Sequence, residues 1–162
     1  MTLPYIYYII LPIALEEYES RFLDTDFDVA RIHPEILPAV IALRNAGVET
    51  IASHSGIGQI GVEDAWGSYI QIRLFYEGGF ETAKKISKFA GNLTTKLRKD
   101  LGNDNLTLQV VSAAAWYEDI NNASMETNIP IYRMQLVGQT TDDEIRYAWE
   151  NVAQEFSPDV IK

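Results

Sequence analysis

The sequence predicts an α+β fold, specifically a ferredoxin-like βαββαβ two-layer sandwich with a C-terminal β-α extension. The predicted elements follow the order strand, helix, strand, strand, helix, strand, and one more strand and helix follow. The strands are recognised as runs that are either apolar throughout or alternating. The helical segments repeat apolar residues at steps of three and four. We expect one domain, 1–162, because a chain of this length can bury a sufficient core without a disulfide or a metal.

The first half of the chain supplies the first strand, the first helix and a pair of strands. Residues 5–11 (YIYYIIL) form a continuous aromatic and β-branched run, which is typical of a strand covered on both faces, so we expect it at the centre of the sheet. An apolar stripe over 36–46 predicts a helix, and Gly47 predicts its left-handed cap. Two strands are predicted next, over 48–53 and 68–75.

The second half begins with the most regular helical pattern, over 80–101, and a strand over 106–115. Residues 118–128 are polar and are predicted to be a loop. The run 129–137 predicts a strand, and Pro130 favours a place at the sheet edge because proline has no N–H for the ladder.

The last helix is predicted by a capping box, in which Thr141 and Glu144 have the spacing needed to satisfy each other's backbone N–H groups. Its apolar positions recur with helical spacing. We expect the helix to bury Ile145, Ala148, Trp149, Val152 and Phe156.

Composition excludes several classes of function. The chain has no cysteine, which rules out disulfides, thiolate zinc sites and cysteine nucleophiles. Its formal charge of −10 repels a phosphate backbone, so we expect no nucleic-acid partner, although an acidic surface could serve as a protein-interaction module. The apolar run from Leu3 to Leu15 is shorter than the ~20 residues of a spanning helix, and we expect a cytoplasmic protein without a membrane partner.

A glycine-rich loop leaves the end of the second predicted strand. Its G-x-G-x-x-G spacing is not followed by a helix, which a dinucleotide-binding turn requires to hold the pyrophosphate. Backbone N–H groups at glycines can still converge on an anion. The loop residues predicted to bind a ligand are Ser53, His54, Ser55, Gly56, Gly58 and Gln59.

Two catalytic alternatives involve the same loop. His54 between Ser53 and Ser55, with Glu63 or Asp64 as orienting acid, suggests a serine hydrolase, but neighbouring residues of an extended chain point in opposite directions. His33, His54, Glu63 and Asp64 could meet at a metal, yet none of their spacings fixes a ligand geometry. We therefore assign no catalytic residue, no metal ligand and no cofactor.

Alternation in three strands predicts a polar sheet face. Tyr69, Gln71 and Arg73 share one side of their strand. Two further strands would add polar residues to the same face, namely Thr107 with Gln109 and Arg133 with Gln135. Two arginines can hold a phosphate or carboxylate, and an indole can stack on a ring. The predicted binding residues here are Gln71, Arg73 and Arg133, with Trp66 and Trp116 as stacking partners.

The stretch HPEILPAVIALRNAGVETIASHSG, with the strand, long helix and strand that follow it up to Trp116, resembles small phage and prophage proteins of unassigned function. Those proteins have a Pro-x-x-x-Pro helix, a Gly-hydrophobic-x-Thr strand and a Ser-Cys-x-Gly loop. The resemblance covers roughly residues 33–117. His54 stands where that pattern has cysteine, so a thiol-dependent role cannot apply here. The resemblance implies a phage setting and no particular activity.

These observations predict a small-molecule-binding protein, with an anionic ligand of nucleotide type held by the loop and by Arg73 as counter-charge. In a phage setting such a protein could sequester a host nucleotide signal. The alternatives are a hydrolase acting on a phosphorylated or nucleotide substrate and an acidic interaction module. A homo-oligomer is also expected to be possible, because the loop and the sheet face could come from different subunits.

Overall fold

The computed structural model of the protein describes residues 32–58, 67–74, 78–112, 116–119, 122–126, 131–138 and 140–162. The elements are α1 (Leu37–Asn45), β1 (Glu49–His54), β2 (Ser68–Arg73), α2 (Gly79–Leu101), β3 (Thr107–Ser112), β4 (Trp116–Asp119), β5 (Asn122–Glu126), β6 (Ile131–Val137), α3 (Asp142–Glu155) and a 3₁₀ helix (Pro158–Ile161). The run 5–11, the Leu3 to Leu15 segment and the acidic residues before position 32 lie outside the described residues.

Four strands form one antiparallel sheet in the order β1-β2-β6-β3. The side chains of β2 and β6 that face the helices, such as Ile70 and Met134, belong to one hydrophobic cluster with Ile86 of α2, Leu43 of α1 and Trp149 of α3. The three described α-helices therefore cover the same face of the sheet. The predicted α+β two-layer sandwich, with its helices on a common face, is confirmed.

The place of β6 differs from the prediction. β6 is paired on both sides, with β2 and with β3, so the expectation of an edge strand is wrong. The described strand runs from Ile131 to Val137 and contains no proline, so none of its residues lacks the N–H that the ladder needs. In the ferredoxin-like order, the position between β2 and β3 belongs to the first strand of the unit. Here β6 occupies it, and the ferredoxin-like topology is not confirmed in its predicted form.

A second, two-stranded sheet lies where a polar loop was expected. β4 and β5 pair antiparallel, with a register irregularity between Tyr117 and Asp119. The prediction of a loop over 118–128 is therefore wrong. Backbone pairing in a hairpin does not require an apolar face, and the polar composition of this segment concealed it.

Both helix ends that the sequence identified are formed as expected. Gly47 has φ +92° and donates its N–H to Arg44 O, while Val48 N–H donates to Leu43 O at 2.9 Å, which is a Schellman cap. At α3, Thr141 Oγ1 accepts from Glu144 N–H, and Glu144 Oε1 accepts from Thr141 N–H. The predicted buried residues of α3 are all in the core, and Trp149 Nε1 donates to Ser68 Oγ at 2.6 Å.

Thr94 of α2 protects the edge of β3. Its hydroxyl accepts from Leu108 N–H and is also 2.9 Å from Leu108 O, so it bonds the backbone on the side of β3 away from β6. Edge strands otherwise present unpaired backbone groups that invite other chains. Within the described ranges, no helix is both long and apolar enough to cross a membrane.

Candidate functional site

The described part of the glycine-rich loop is folded on itself, and the backbone N–H groups of residues 55–58 are all hydrogen-bonded. Gly56 and Gly58 have φ values of +73° and +79°, which glycine adopts without strain. Gly56 N–H is 3.1 Å from His54 Nδ1, Ile57 N–H donates to Ser55 Oγ at 3.2 Å, and Gly58 N–H donates to Asp142 Oδ1 at 3.1 Å. The carboxylate bound by the loop is thus that of Asp142, a residue of the same chain. The prediction that Gly56 and Gly58 hold a ligand is not supported by this arrangement.

Ser55 is bound to His33, a partner that sequence reasoning did not assign to it. Ser55 Oγ lies 2.8 Å from His33 Nδ1, and Ser55 N–H is 3.2 Å from the same nitrogen. Ile57 N–H donates to the same Oγ, and the direction of the Oγ–Nδ1 hydrogen bond is set by the tautomer of His33. The two residues are 22 positions apart, and the sequence carries no signal for the contact. Ser55 is only 1% exposed, so the pair anchors the loop and offers no accessible nucleophile.

His54 lies at the end of β1 beside Tyr69 of β2, its cross-strand neighbour. Its ring is stacked with that of Tyr69 at 6.4 Å between centroids, and the His33 ring meets it edge-on at 4.6 Å. Nδ1 is also 3.0 Å from Gly67 O. Ser53 pairs with Ile70 and so faces the helical side, away from His54, which agrees with the expected divergence of neighbouring side chains.

The polar sheet face predicted from alternation is present. In the ladder, His54 is opposite Tyr69, Tyr69 is opposite Gln135, and Gln135 is opposite Gln109, which makes one continuous row across four strands. A second row runs beside it through Ala52, Gln71, Arg133 and Val111. These two rows are named the polar face below. The next row on the same side of the sheet, Glu49, Arg73 and Ile131, is buried.

Arg133 is the cation of the polar face. Its Cζ lies 4.3 Å from the centroid of the Tyr69 ring, a cation–π contact. Its Nε is shielded from water and has no hydrogen-bond partner among the residues that the structure describes, while the side chain as a whole is only partly buried. Gln71 is its cross-strand neighbour. The guanidinium is therefore oriented by a ring, next to amide groups, and keeps unsatisfied hydrogen-bonding capacity.

Arg73 has a different environment from the one predicted. It is 4% exposed, and Nε donates to Glu49 Oε2 at 3.0 Å while Nη2 bonds Oε1 of the same carboxylate. Burial raises the pKa of Glu49 above its usual value of 4.5, and the hydrogen bond and charge of Arg73 partly oppose that rise. Arg73 is thus matched by an internal carboxylate, and its predicted role as counter-charge of a ligand is not supported.

The structure does not describe the side chains of the other predicted loop and aromatic residues. Gln59 and Trp66, like Glu63 and Asp64, lie outside the described residues. Trp116 begins β4, and only its backbone is described. Among the residues that are described, no group of three or more histidine or acidic side chains is arranged to hold a metal ion.

Comparisons of the chain with protein-family models, with curated proteins and with solved structures found no significant match. The geometry of the polar face is therefore the basis for assigning a function.

Proposed function

We propose that the protein binds a small anionic molecule of nucleotide type on the polar face, with Arg133 as the counter-charge and Tyr69 as the ring that orients it. The loop from Ser55 to Gly58 then has a supporting role, because it holds His54 at one end of the face. The ligand class is the one expected from the sequence, but Arg133 takes the role of counter-charge that was predicted for Arg73.

The observation that carries the proposal is the environment of Arg133. A shielded guanidinium nitrogen without a partner costs roughly 1–3 kcal/mol, which a ligand acceptor or an intervening water would recover. Guanidinium groups bind phosphate and carboxylate through two parallel hydrogen bonds. The neighbouring Gln71 and Gln135 can donate or accept, as the edge of a base or a ribose requires.

The dimensions of the polar face suit a ligand of this size. The row from His54 to Gln109 crosses three strand spacings of ~4.8 Å, or about 14 Å in total. A mononucleotide extended over the face would span this row. His54 and Tyr69 then supply aromatic surface at one end, and Arg133 supplies charge near the middle.

The hydrolase alternative has one contact in its favour, the 2.8 Å distance between Ser55 Oγ and His33 Nδ1. The burial of Ser55 opposes it, because a nucleophile must reach its substrate. Binding without turnover is accordingly the function we propose. In the phage setting that the sequence resemblance implies, such a protein would sequester a host nucleotide signal.

The test is mass spectrometry of the small molecules released by heat from protein purified out of cells that contain the nucleotide. Release of an intact anionic molecule supports the proposal. Release of its cleavage products would favour the hydrolase, and a repeated absence of any stoichiometric small molecule would favour a protein-interaction module.

A further inference from the structure

A second charged surface lies on the outer side of α2, across the molecule from the polar face. The helix carries six basic residues and two acidic ones, although the whole chain has a formal charge of −10. The basic positions are Lys84, Lys85, Lys88, Lys96, Arg98 and Lys99. Lys84 and Lys96 pair with Glu81 and Glu155, and half-buried Arg98 donates to Leu106 O, so among the described residues the unpaired basic charge is concentrated around Lys88 and Lys99. A local reversal of sign in an acidic protein concentrates small anions at that surface.

Part of this surface is a cleft between α2 and the C-terminal 3₁₀ helix. It has a volume of about 380 Å³ and is lined by Lys85, Lys88, Phe89, Asn92, Val160 and Lys162. We name this set the lysine cleft. Its lining contains three ammonium groups and one side-chain amide. A volume of this order is in the range of small-molecule sites.

The helical spacing explains why these side chains converge. Lys85, Lys88, Phe89 and Asn92 lie at steps of three and four, so they form one stripe of α2. Phe89 is held by an edge-to-face contact with Phe156, whose buried ring precedes the 3₁₀ helix. The two walls of the lysine cleft are thereby fixed to the core.

The ammonium groups of the lysine cleft differ in how they are engaged. Lys85 Nζ is 3.4 Å from Ile161 O, a long contact, and Lys162 Nζ is 3.2 Å from Asp159 Oδ1 on the exposed surface. Lys88 has neither a hydrogen bond nor an ion pair with any described residue. Its charge is therefore available to a ligand.

We propose that the lysine cleft binds a small organic phosphate, with Lys88 and Lys85 on the phosphate, Asn92 as a further donor, and Phe89 with Val160 against the apolar part of the molecule. Lysine binds phosphate as a point charge and requires no fixed approach angle, which suits an open cleft. The site is separate from the polar face, because α2 covers the opposite side of the sheet.

The experiment is a titration of the full, ¹⁵N-labelled chain with inorganic pyrophosphate at fixed ionic strength, followed by amide chemical shifts. We expect saturable shifts at the backbone amides of Lys85, Lys88, Asn92 and Val160. Lys88→Gln should weaken binding roughly tenfold, as expected for the loss of one charge-assisted contact.

The matched control is Lys99→Gln, which removes the same charge from an exposed position of α2 outside the cleft. It should leave the affinity within about twofold, because a solvent-exposed charge at that distance is largely screened. The proposal would be overturned if both substitutions weakened pyrophosphate binding equally. It would also be overturned if the chemical-shift changes were centred on Tyr69 and Arg133, or if the titration did not saturate.

Discussion

Glu49 and Arg73 form an ion pair that is almost wholly removed from water, with side chains 8% and 5% exposed. Removing one member of such a pair leaves an uncompensated charge in the interior, which is more costly than the pair itself is favourable. Arg44 of α1 also contributes a favourable charge to Glu49, so the carboxylate joins α1, β1 and β2.

We predict that Arg73→Met lowers the free energy of unfolding by about 3–5 kcal/mol at neutral pH, the usual cost of breaking a buried pair. Urea denaturation measures it. Arg146→Met is the control, because Arg146 pairs with Asp143 on the exposed surface and should change stability by about 0.5 kcal/mol or less. A loss no larger than that of the control would contradict the buried pairing.

The stability of Arg73→Met should depend on pH in a direction that the environment of Glu49 determines. The pKa of Glu49 is already raised in the folded protein by burial, and loss of Arg73 removes a group that lowers it. The folded variant therefore holds the proton to higher pH than the unfolded chain does, and its stability falls as pH rises above about 4.5. The free energy of unfolding of Arg73→Met should be closest to that of the parent protein near pH 4 and should fall furthest below it at pH 7, as measured by parallel denaturation curves.

At the level of elements, α3 is the one that the sequence specified most completely. The capping box is formed, and the pKa of Glu144 is lowered chiefly by its hydrogen bond from Thr141 N–H. A depressed carboxyl pKa contributes stability above its unfolded value of 4.5, and this contribution is lost as pH falls through the folded value.

We predict that Thr141→Ala destabilises the protein by about 1 kcal/mol through the loss of the N-cap hydrogen bond. Ser157→Ala is the matched control, since Ser157 precedes the 3₁₀ helix and its side chain makes no capping hydrogen bond. Thermal or urea unfolding of the two variants compares them. Equal losses would show that the capping box does not stabilise α3.

The central position of β6 could not be derived from its own residues. Period-two alternation identifies the strand and its two faces, and the ladder confirms that Arg133 and Gln135 share the face of Gln71 and Tyr69. Which strands flank it depends on contacts far along the chain. Pro130 favours an edge by sequence, but the described strand begins at Ile131 and contains no proline.

The candidate site, too, was predictable from the sequence only as far as local alternation determines it. Alternation placed Arg73 and Arg133 on one face, and it could not show that register sets Glu49 opposite Arg73 while leaving Arg133 against Tyr69. His33 and Asp142 approach the glycine-rich loop from 22 and 84 positions away, distances at which local patterns carry no information.

For the molecule as a whole, the net charge of −10 gives a prediction about macromolecular partners. We expect no retention of random duplex DNA at ~150 mM salt, because an acidic surface opposes the counterion release that drives such binding. The basic side of α2 is too small to reverse this at physiological ionic strength. Submicromolar affinity in a gel-shift experiment would contradict it.

The central claim is that the polar face binds an anionic small molecule through Arg133. Its most direct test is a titration of the ¹⁵N-labelled protein with adenosine 5′-monophosphate, comparing the parent chain with Arg133→Gln and with Arg146→Gln, which removes an equal charge from the exposed surface. We predict shifts at Tyr69, Gln71 and Arg133, roughly tenfold weaker binding in Arg133→Gln, and little change in Arg146→Gln. Equal affinity in all three proteins, or saturable shifts confined to other surfaces, would contradict the claim.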